Sequence, residues 1–208
     1  MHQAGKPPNH WMLHVAQLHG LLAATSCRAR GREIPIDEGF ARWQRLTAAL
    51  RNRRGTIYLI GNGASASMAS HTAADLAKNA QLHTEVFSDL ALITAVSNDL
   101  GYDQVFSHPL SVRSRAGDML VAISSSGRSP NVLRAVKMAA RRRLTLVTLS
   151  AMDRDNPLRG SGALSFYVGA RSYGLAETCH AALLHHWMDL VEQRPRQARA
   201  GSADGDGK

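Results

Sequence analysis

Three short apolar runs, each followed by a polar loop and a helical pattern, constrain the fold more than any other feature of this sequence. The runs are residues 56–60, 119–123 and 144–149. A strand with one solvent-exposed face would alternate apolar and polar residues, whereas these runs are largely apolar, which predicts strands buried on both faces. Helices that cover both faces of a mostly parallel sheet provide such burial. The sequence therefore predicts an α/β fold with a three-layer, doubly wound parallel sheet.

The rest of the chain divides into an N-terminal helical extension, one domain and a tail. Further strands are predicted at residues 85–87 and 164–168, and helices at residues 11–25, 38–52, 66–79, 90–98, 131–142 and 174–193. Residues 26–36 show neither pattern and are predicted to be a linker. We expect a loose tail and a helix in residues 1–37, the α/β domain in residues 38–193, and a disordered tail in residues 194–208, where Gly, Ser, Asp and Arg dominate.

The chain carries a formal net charge of +9, and most of its 25 basic residues are arginines. The arginines cluster at residues 28–32, 51–54, 141–143 and 194–199, near predicted element ends and not along one helix face. A protein that reads duplex nucleic acid more often shows a basic stripe with a reading element. Nucleic-acid binding is therefore not expected, and we interpret the charge as a cationic surface that attracts anionic metabolites.

The sequence also predicts where the protein resides. No window approaches about 18 uninterrupted apolar residues, so no transmembrane helix is predicted. The N-terminus lacks the basic-then-apolar pattern of a signal peptide. Cys27 and Cys179 are too few for a disulfide framework or a four-cysteine zinc site. We therefore expect a soluble cytoplasmic protein without a membrane partner.

The loop after the first run, which we call the GNG loop (residues 61–65), has the composition of an anion-binding turn. Its two glycines let the backbone turn sharply and approach a ligand, and the next helix presents free N–H groups and the positive end of its dipole. The spacing is not the dinucleotide-binding G-x-G-x-x-G, because Ala66 stands at the third glycine, nor is it a P-loop. On its own, the loop is equally consistent with a plain tight turn.

The loop after the second run, which we call the serine loop (residues 124–129), repeats this arrangement with the sequence SSSGRS. Hydroxyl donors between a buried strand and a helix start are typical of a phosphate pocket. Because ligands in such sheets bind at the carboxyl ends of strands, we expect both loops to line one site. The predicted substrate- and phosphate-binding residues of the two loops are Asn62, Gly63, Ser65, Ser124, Ser126 and Ser129.

Taken together, these segments resemble the sugar-isomerase (SIS) domain. The resemblance covers roughly residues 38–193 in order and rests on GNGASAS, SHTAADLAKN, AVSNDLGYDQVF, AISSSGRSPNVLRAV and AETCHAALLHHWMDLVE. Within that family the chain is most similar to the phosphoheptose isomerases, which interconvert sedoheptulose 7-phosphate and a heptose 7-phosphate. The resemblance implies a flavodoxin-like sheet, an N-terminal helical region used in assembly, and a homotetramer whose active sites are built across subunits. It also implies that Asp99 reaches the sugar hydroxyls, and a helix end followed by a turn is an equally good interpretation of residues 98–99.

Four side chains on two predicted helices are the candidates for catalysis. His71 and Asp75 are four residues apart and share a helix face, while Glu177 and His185, eight apart, are offset by about 80°. Isomerisation through an enediol needs a base beside the carbonyl and an acid that moves oxygen protons, and a carboxylate and a histidine suit these roles. The resemblance implies that Asp75 is the base and His185 its acid–base partner, and that all four residues can hold zinc.

Two of these residues differ from the family pattern, and they leave two hypotheses open. The family base is usually Glu, and Asp75 is one methylene shorter, which reduces its reach by about 1.3 Å. Glu177 stands where the family usually has Gln, and its charge favours a metal but disfavours an anionic enediolate without one. The first hypothesis is a sugar-phosphate isomerase. The second is a non-catalytic SIS module that binds a phosphosugar or a protein partner, as related assembly factors in replication initiation do. Convergence of the four side chains on the serine loop would favour the enzyme.

Overall fold

The computed structural model describes residues 10–192, so residues 1–9 and the predicted tail at 194–208 lie outside the described part of the chain. The helices of this range are α1 (Trp11–Ala23), α2 (Ile36–Asn52), α3 (Ala64–Ala80), α4 (Leu90–Leu100), α5 (Ser107–Arg113), α6 (Pro130–Arg141) and α7 (Tyr173–Glu192). The strands are β1 (Ser26–Ala29), β2 (Arg32–Ile34), β3 (Thr56–Ile60), β4 (His83–Val86), β5 (Met119–Ser124), β6 (Thr145–Ala151) and β7 (Leu164–Val168). Short 3-10 turns lie at Tyr102–Gln104 and Pro157–Gly160.

All seven strands form one sheet in the order β2-β1-β7-β6-β5-β3-β4. Strands β3 to β7 pair in parallel, and each is joined to the next by a helical crossover or, between β6 and β7, by a 3-10 turn. In chain order these five strands have the flavodoxin-like arrangement 2-1-3-4-5. The predicted doubly wound α/β fold is confirmed for this part of the sheet.

The sheet separates two apolar cores, which explains why its central strands are apolar throughout. Along β3, Ile57 and Leu59 enter the core beneath α2, α3 and α7, whereas Tyr58 and Ile60 enter the core beneath α4, α5 and α6. Strand β5 alternates in the same way, and all six of its residues are buried. The predicted three layers are therefore present. Helices α3 and α7 share one face of the sheet, and α6 covers the other.

The prediction of a linker at residues 26–36 is wrong, because most of this segment belongs to the sheet. Strands β1 and β2 form a hairpin, and β1 pairs antiparallel with β7. The turn uses Arg30 and Gly31, both at positive φ, as expected for a two-residue hairpin loop. Residues 1–37, expected to hold only a tail and a helix, therefore contribute two strands, and the sheet is mixed and not purely parallel.

A buried arginine fastens this hairpin to the sheet. The guanidinium of Arg159, which is 2% exposed, donates to Ser26 Oγ at 3.0 Å and to Glu33 Oε1 at 3.2 Å. It also lies over the ring of Tyr167, with its carbon 4.1 Å from the ring centroid. These contacts compensate the desolvated charge, since a buried cation is tolerated only when it is paired.

Helix α1 packs against the rest of the fold only weakly. It has no buried residue, and Trp11, Met12 and Leu13 are 71%, 71% and 57% exposed. The predicted N-terminal helix is therefore confirmed, and it presents an apolar surface. No helix within residues 10–192 combines the length and hydropathy that a bilayer crossing requires.

Candidate active site

The GNG loop and the serine loop lie where the sheet changes direction. Strands β3 and β5 are neighbours, and the chain continues from β3 to β4 on one side and from β5 to β6 on the other. Ligands of open α/β sheets bind in the crevice that such a change of direction creates. Both loops follow the carboxyl ends of these two strands, as predicted, and both lead directly into a helix.

Two glycines shape the GNG loop. A Cβ on Gly61 would lie 2.5 Å from the Cβ of Ser65 and 2.9 Å from its carbonyl oxygen, so a side chain here would push α3 away from β3. Gly63 has a φ of +55°, which L side chains rarely adopt. Ser65 is buried, and its N–H donates to the carbonyl oxygen of Asn62 at 3.0 Å, which closes the turn.

The serine loop is largely enclosed by the protein. Ser124 and Ser125 are buried, and the hydroxyl oxygens of Ser124 and Ser129 lie 3.2 Å apart. Ser126 Oγ accepts a hydrogen bond from the Arg128 N–H at 3.2 Å. The Ser125 hydroxyl has no hydrogen-bond partner within residues 10–192. The loop thus brings together two of the predicted phosphate-binding hydroxyls, Ser124 and Ser129.

The serine loop rests on a buried asparagine. Gly127 has a φ of +62°, and a Cβ there would lie 2.0 Å from Asn156 Oδ1. Asn156 is 3% exposed, donates to the carbonyl oxygen of Asp153 at 2.7 Å and accepts from the Arg159 N–H at 2.9 Å. The Leu158 N–H also donates to the Gly127 carbonyl oxygen at 3.3 Å. The segment after β6 therefore fixes the position of the serine loop.

An amide pair that sequence reasoning missed joins the two loops. Asn62 Nδ2 donates to Asn131 Oδ1, and Asn131 Nδ2 donates back to Asn62 Oδ1, each at 2.9 Å. Asn131 is buried in the first turn of α6, and its Oδ1 also accepts from the Val132 N–H. The Tyr102 hydroxyl donates to Asn62 Oδ1 at 3.2 Å. The Asn62 side chain, predicted to bind substrate, therefore sets the spacing between the loops. An amide beside Pro130 on the buried face of a helix was the available signal.

His71, Asp75 and His185 come together across helices α3 and α7. His71 Nε2 lies 3.4 Å from Asp75 Oδ2, and the ring centroids of His71 and His185 are 5.4 Å apart. Lys78 Nζ lies 3.9 Å from Asp75 Oδ1. Both histidines are exposed, and the Asp75 side chain is 23% exposed. A carboxylate, two imidazoles and an ammonium group thus share one solvent-accessible patch, which we call the acid–base cluster.

The other predicted residues, Glu177 and Asp99, form no hydrogen bond or ion pair with this cluster in the described part of the chain. Glu177 is half-buried and forms no hydrogen bond or ion pair within residues 10–192. Asp99 is exposed, and its Oδ1 accepts from Asn98 Nδ2 at 2.8 Å, so its contact with sugar hydroxyls stays a prediction. In the described part of the chain, no three His, Cys, Asp or Glu side chains form a group that could hold a metal ion. The predicted zinc set of His71, Asp75, Glu177 and His185 is therefore not assembled there.

Burial keeps three further titratable groups neutral at pH 7. His180 on α7 is fully buried, and burial lowers its pKa to about 4. Burial raises the pKa of the Cys27 thiol to about 11 and also raises the pKa of Cys179. Because a thiol reacts as the thiolate, neither cysteine is suited to nucleophilic chemistry. These three buried groups are therefore not candidates for the acid–base chemistry of the site.

Comparison with known proteins identifies the family. Residues 37–151 match the family model described as SIS domain. A phosphoheptose isomerase from Chlorobaculum parvum is 37% identical over 148 residues, which cover 66% of this chain and 70% of that protein. The structure of phosphoheptose isomerase GmhA from Neisseria gonorrhoeae matches with a TM-score of 0.68 and 32% identity, over 74% of this chain and 86% of that chain. A phosphoheptose isomerase structure from Francisella tularensis, 21% identical, shares the fold with a TM-score of 0.77 over 88% of this chain and 95% of that chain. The chain therefore belongs to the SIS-domain family and, within it, to the phosphoheptose isomerases.

Proposed function

We propose that this protein interconverts sedoheptulose 7-phosphate, a ketose, and a heptose 7-phosphate, an aldose. The observation that carries the proposal is the position of the acid–base cluster relative to the GNG loop, because α3 begins at that loop. His71 lies seven residues beyond the first residue of α3, or about 10 Å along the helix. The extended chain of a heptose 7-phosphate, from C1 to the phosphorus, also spans about 10 Å, at about 1.3 Å per bond. A phosphate held at the loops therefore leaves the reacting carbons near the cluster.

The phosphate is held by neutral donors. Ser124 and Ser129 supply paired hydroxyls, Ser126 and Ser65 supply two more, and helices α3 and α6 begin beside them. Helix N-termini favour anions because their unpaired N–H groups carry partial positive charge. The amide pair between the loops keeps both helix starts directed at one ligand.

Asp75 and His185 move the protons. Asp75 removes a proton from C1 of the ketose, the electron pair of that C–H bond forms the C1=C2 bond, and the C2 oxygen takes up a proton to give the enediol. Return of a proton to C2 and loss of the proton from the C1 hydroxyl give the aldehyde. His185 transfers the oxygen protons, and His71 positions the Asp75 carboxylate, whose second oxygen faces the Lys78 ammonium. The positive charge of Lys78 stabilises the negative charge that develops in the transition state.

Zinc, the cofactor that the resemblance implies, is given no step in this mechanism. Its four predicted ligands do not form a metal-binding group within residues 10–192, and Asp75 already lies against His71. The proton transfers are therefore carried by the side chains of Asp75 and His185.

The assembly we propose is a homotetramer in the cytoplasm with active sites built across subunits. The exposed apolar residues of α1 support it, since a water-soluble chain gains free energy when such a surface is covered. An exposed acid–base cluster also suits a site that a neighbouring subunit completes, because exclusion of water strengthens its electrostatics.

Turnover of sedoheptulose 7-phosphate by the purified full chain tests the proposal. Asp75→Asn and His185→Gln should each lower kcat by about 10²- to 10⁴-fold, the usual contribution of general acid–base catalysis. Asp189→Asn is the matched control, because Asp189 is an exposed carboxylate on α7 without a partner in the described residues. In D₂O, the product should carry deuterium at C2, because the transferred proton exchanges with solvent on Asp75.

Two results would contradict this reading. Unchanged turnover in Asp75→Asn would remove Asp75 from the mechanism. A wild-type protein that binds sedoheptulose 7-phosphate but turns over neither it nor another ketose phosphate would establish the alternative, a non-catalytic phosphosugar-binding module.

A further inference from the structure

A groove of about 640 Å³ lies between α5 and α6, away from the acid–base cluster. The helices that line it cover the face of the sheet opposite α3 and α7. One end reaches Arg128 of the serine loop, and the other reaches Arg141 at the end of α6. Its volume falls within the range of small-molecule sites in proteins. The proposed isomerase activity assigns no function to this groove.

One wall of the groove is a row of cations along α6. Arg134, Lys137 and Arg141 are spaced three and four residues apart, so the row stays within about 60° of one helix face. The row extends about 10 Å along the helix, at 1.5 Å per residue. The sequence pattern predicted that the arginines do not follow one helix face. This prediction missed the row, because residues 141–143 were interpreted as a cluster at a helix end.

Two of these cations have no acidic partner. Arg128 pairs with Asp153 at 2.5 Å, and Arg134 pairs with Asp103. Lys137 and Arg141 are exposed and form no ion pair within residues 10–192. A concave surface that holds unpaired charges of one sign concentrates ligands of the opposite sign. The groove is therefore suited to bind an anion.

The dimensions and lining of the groove favour a small ligand with several phosphates. One phosphate can reach Lys137 and Arg141, which lie about 6 Å apart along the helix, but the whole row from Arg134 to Arg141 is about 10 Å long and needs two or more phosphates to contact it. The described lining contains no Phe, Tyr or Trp on which the bases of a single-stranded nucleic acid could stack. Leu133 and Met138 provide an apolar patch for the uncharged part of a ligand. We propose that this groove binds a compact oligophosphate, such as a nucleoside di- or triphosphate.

Calorimetric titration of the full chain at physiological salt tests the proposal, with pyrophosphate, adenosine triphosphate and inorganic phosphate as probes. Pyrophosphate and adenosine triphosphate should bind at least tenfold more tightly than inorganic phosphate. The double variant Lys137→Gln/Arg141→Gln should lose at least tenfold in affinity for both. The matched control Arg32→Gln/Arg45→Gln removes the same two charges from exposed positions elsewhere and should change affinity less than twofold. Turnover of sugar phosphate without added oligophosphate should be equal in both variants.

Three results would overturn the proposal. Equal losses in the two double variants would assign binding to the net charge of the chain and not to the groove. Full affinity in Lys137→Gln/Arg141→Gln would place the ligand outside the groove. Binding of a short DNA duplex more tightly than adenosine triphosphate, with loss in the groove variant, would make this face a nucleic-acid interface. None of these results depends on isomerase activity, so the two proposals fail separately.

Discussion

Replacing Gly127 by alanine tests how the serine loop is supported. At a φ of +62° an L side chain costs about 1–2 kcal/mol. The added Cβ would also lie 2.0 Å from Asn156 Oδ1, so the Asn156 side chain must move. That movement breaks its hydrogen bonds to Asp153 and Arg159 in a buried place, at about 0.5–1.5 kcal/mol each. The free energy of unfolding should therefore fall by about 2–5 kcal/mol, a large share of the stability of a typical domain.

The control for this variant is Gly31→Ala in the turn between β1 and β2. Gly31 has a φ of +82°, and a Cβ there would meet no atom within 4 Å, so only the backbone cost of about 1–2 kcal/mol applies. Urea unfolding of both variants at one protein concentration isolates the contribution of Asn156 as the difference between them. The KM for sugar phosphate should rise only in Gly127→Ala, because only there does the serine loop shift. Equal destabilisation of the two variants would show that Asn156 does not support the loop.

Three further predictions concern the buried groups and α1. Cys27 should react with a thiol reagent at pH 8 about a hundredfold more slowly than a free cysteine, and Cys179 should also react slowly. Both cysteines should react fast only after the protein is denatured. Burial lowers the pKa of His180 to about 4. As the pH falls below about 6.5, the unfolded chain therefore binds a proton at this histidine that the folded chain does not bind. The free energy of unfolding should thus fall by about 3 kcal/mol towards pH 4, and His180→Gln should flatten that part of the profile; parallel profiles would contradict this. Met12→Lys/Leu13→Lys should lower the molar mass measured by light scattering, and an unchanged mass would exclude α1 from the subunit contacts.

Sequence reasoning predicted the parallel strands because their pattern is local. The strands β3, β5, β6 and β7 begin and end within two residues of their predicted bounds, since apolar runs between polar loops indicate burial wherever they pack. The hairpin of β1 and β2 gave no such pattern, because its strands have four and three residues and half-polar faces. What holds β1 is its pairing with β7, which lies 135 to 141 residues later in the chain. The turn at Arg30–Gly31 was the local signal for it.

The candidate site was predicted in part, again because part of its sequence pattern is local. The two loops and the acid–base residues His71 and Asp75 follow from spacing within one loop or helix. The pairing of Asn62 with Asn131 joins two segments 69 residues apart, so the local pattern marks Asn131 as a buried amide but does not indicate its partner. The expected place of Glu177 beside His185 rested on the turn of one helix and on the resemblance. In the described residues, Glu177 forms no hydrogen bond or ion pair with the cluster.

The hairpin of β1 and β2 also determines how the sheet ends. Without it, β7 would be an edge strand whose sequence LSFYV leaves a row of free N–H and C=O groups beside apolar side chains. Such an edge is a template for strands of other chains and a common origin of aggregation. The hairpin replaces it with β2, which is three residues long and presents the exposed charged residues Arg32 and Glu33. By covering β7, a segment without obvious strand character protects the sheet from edge-to-edge association while the protein folds.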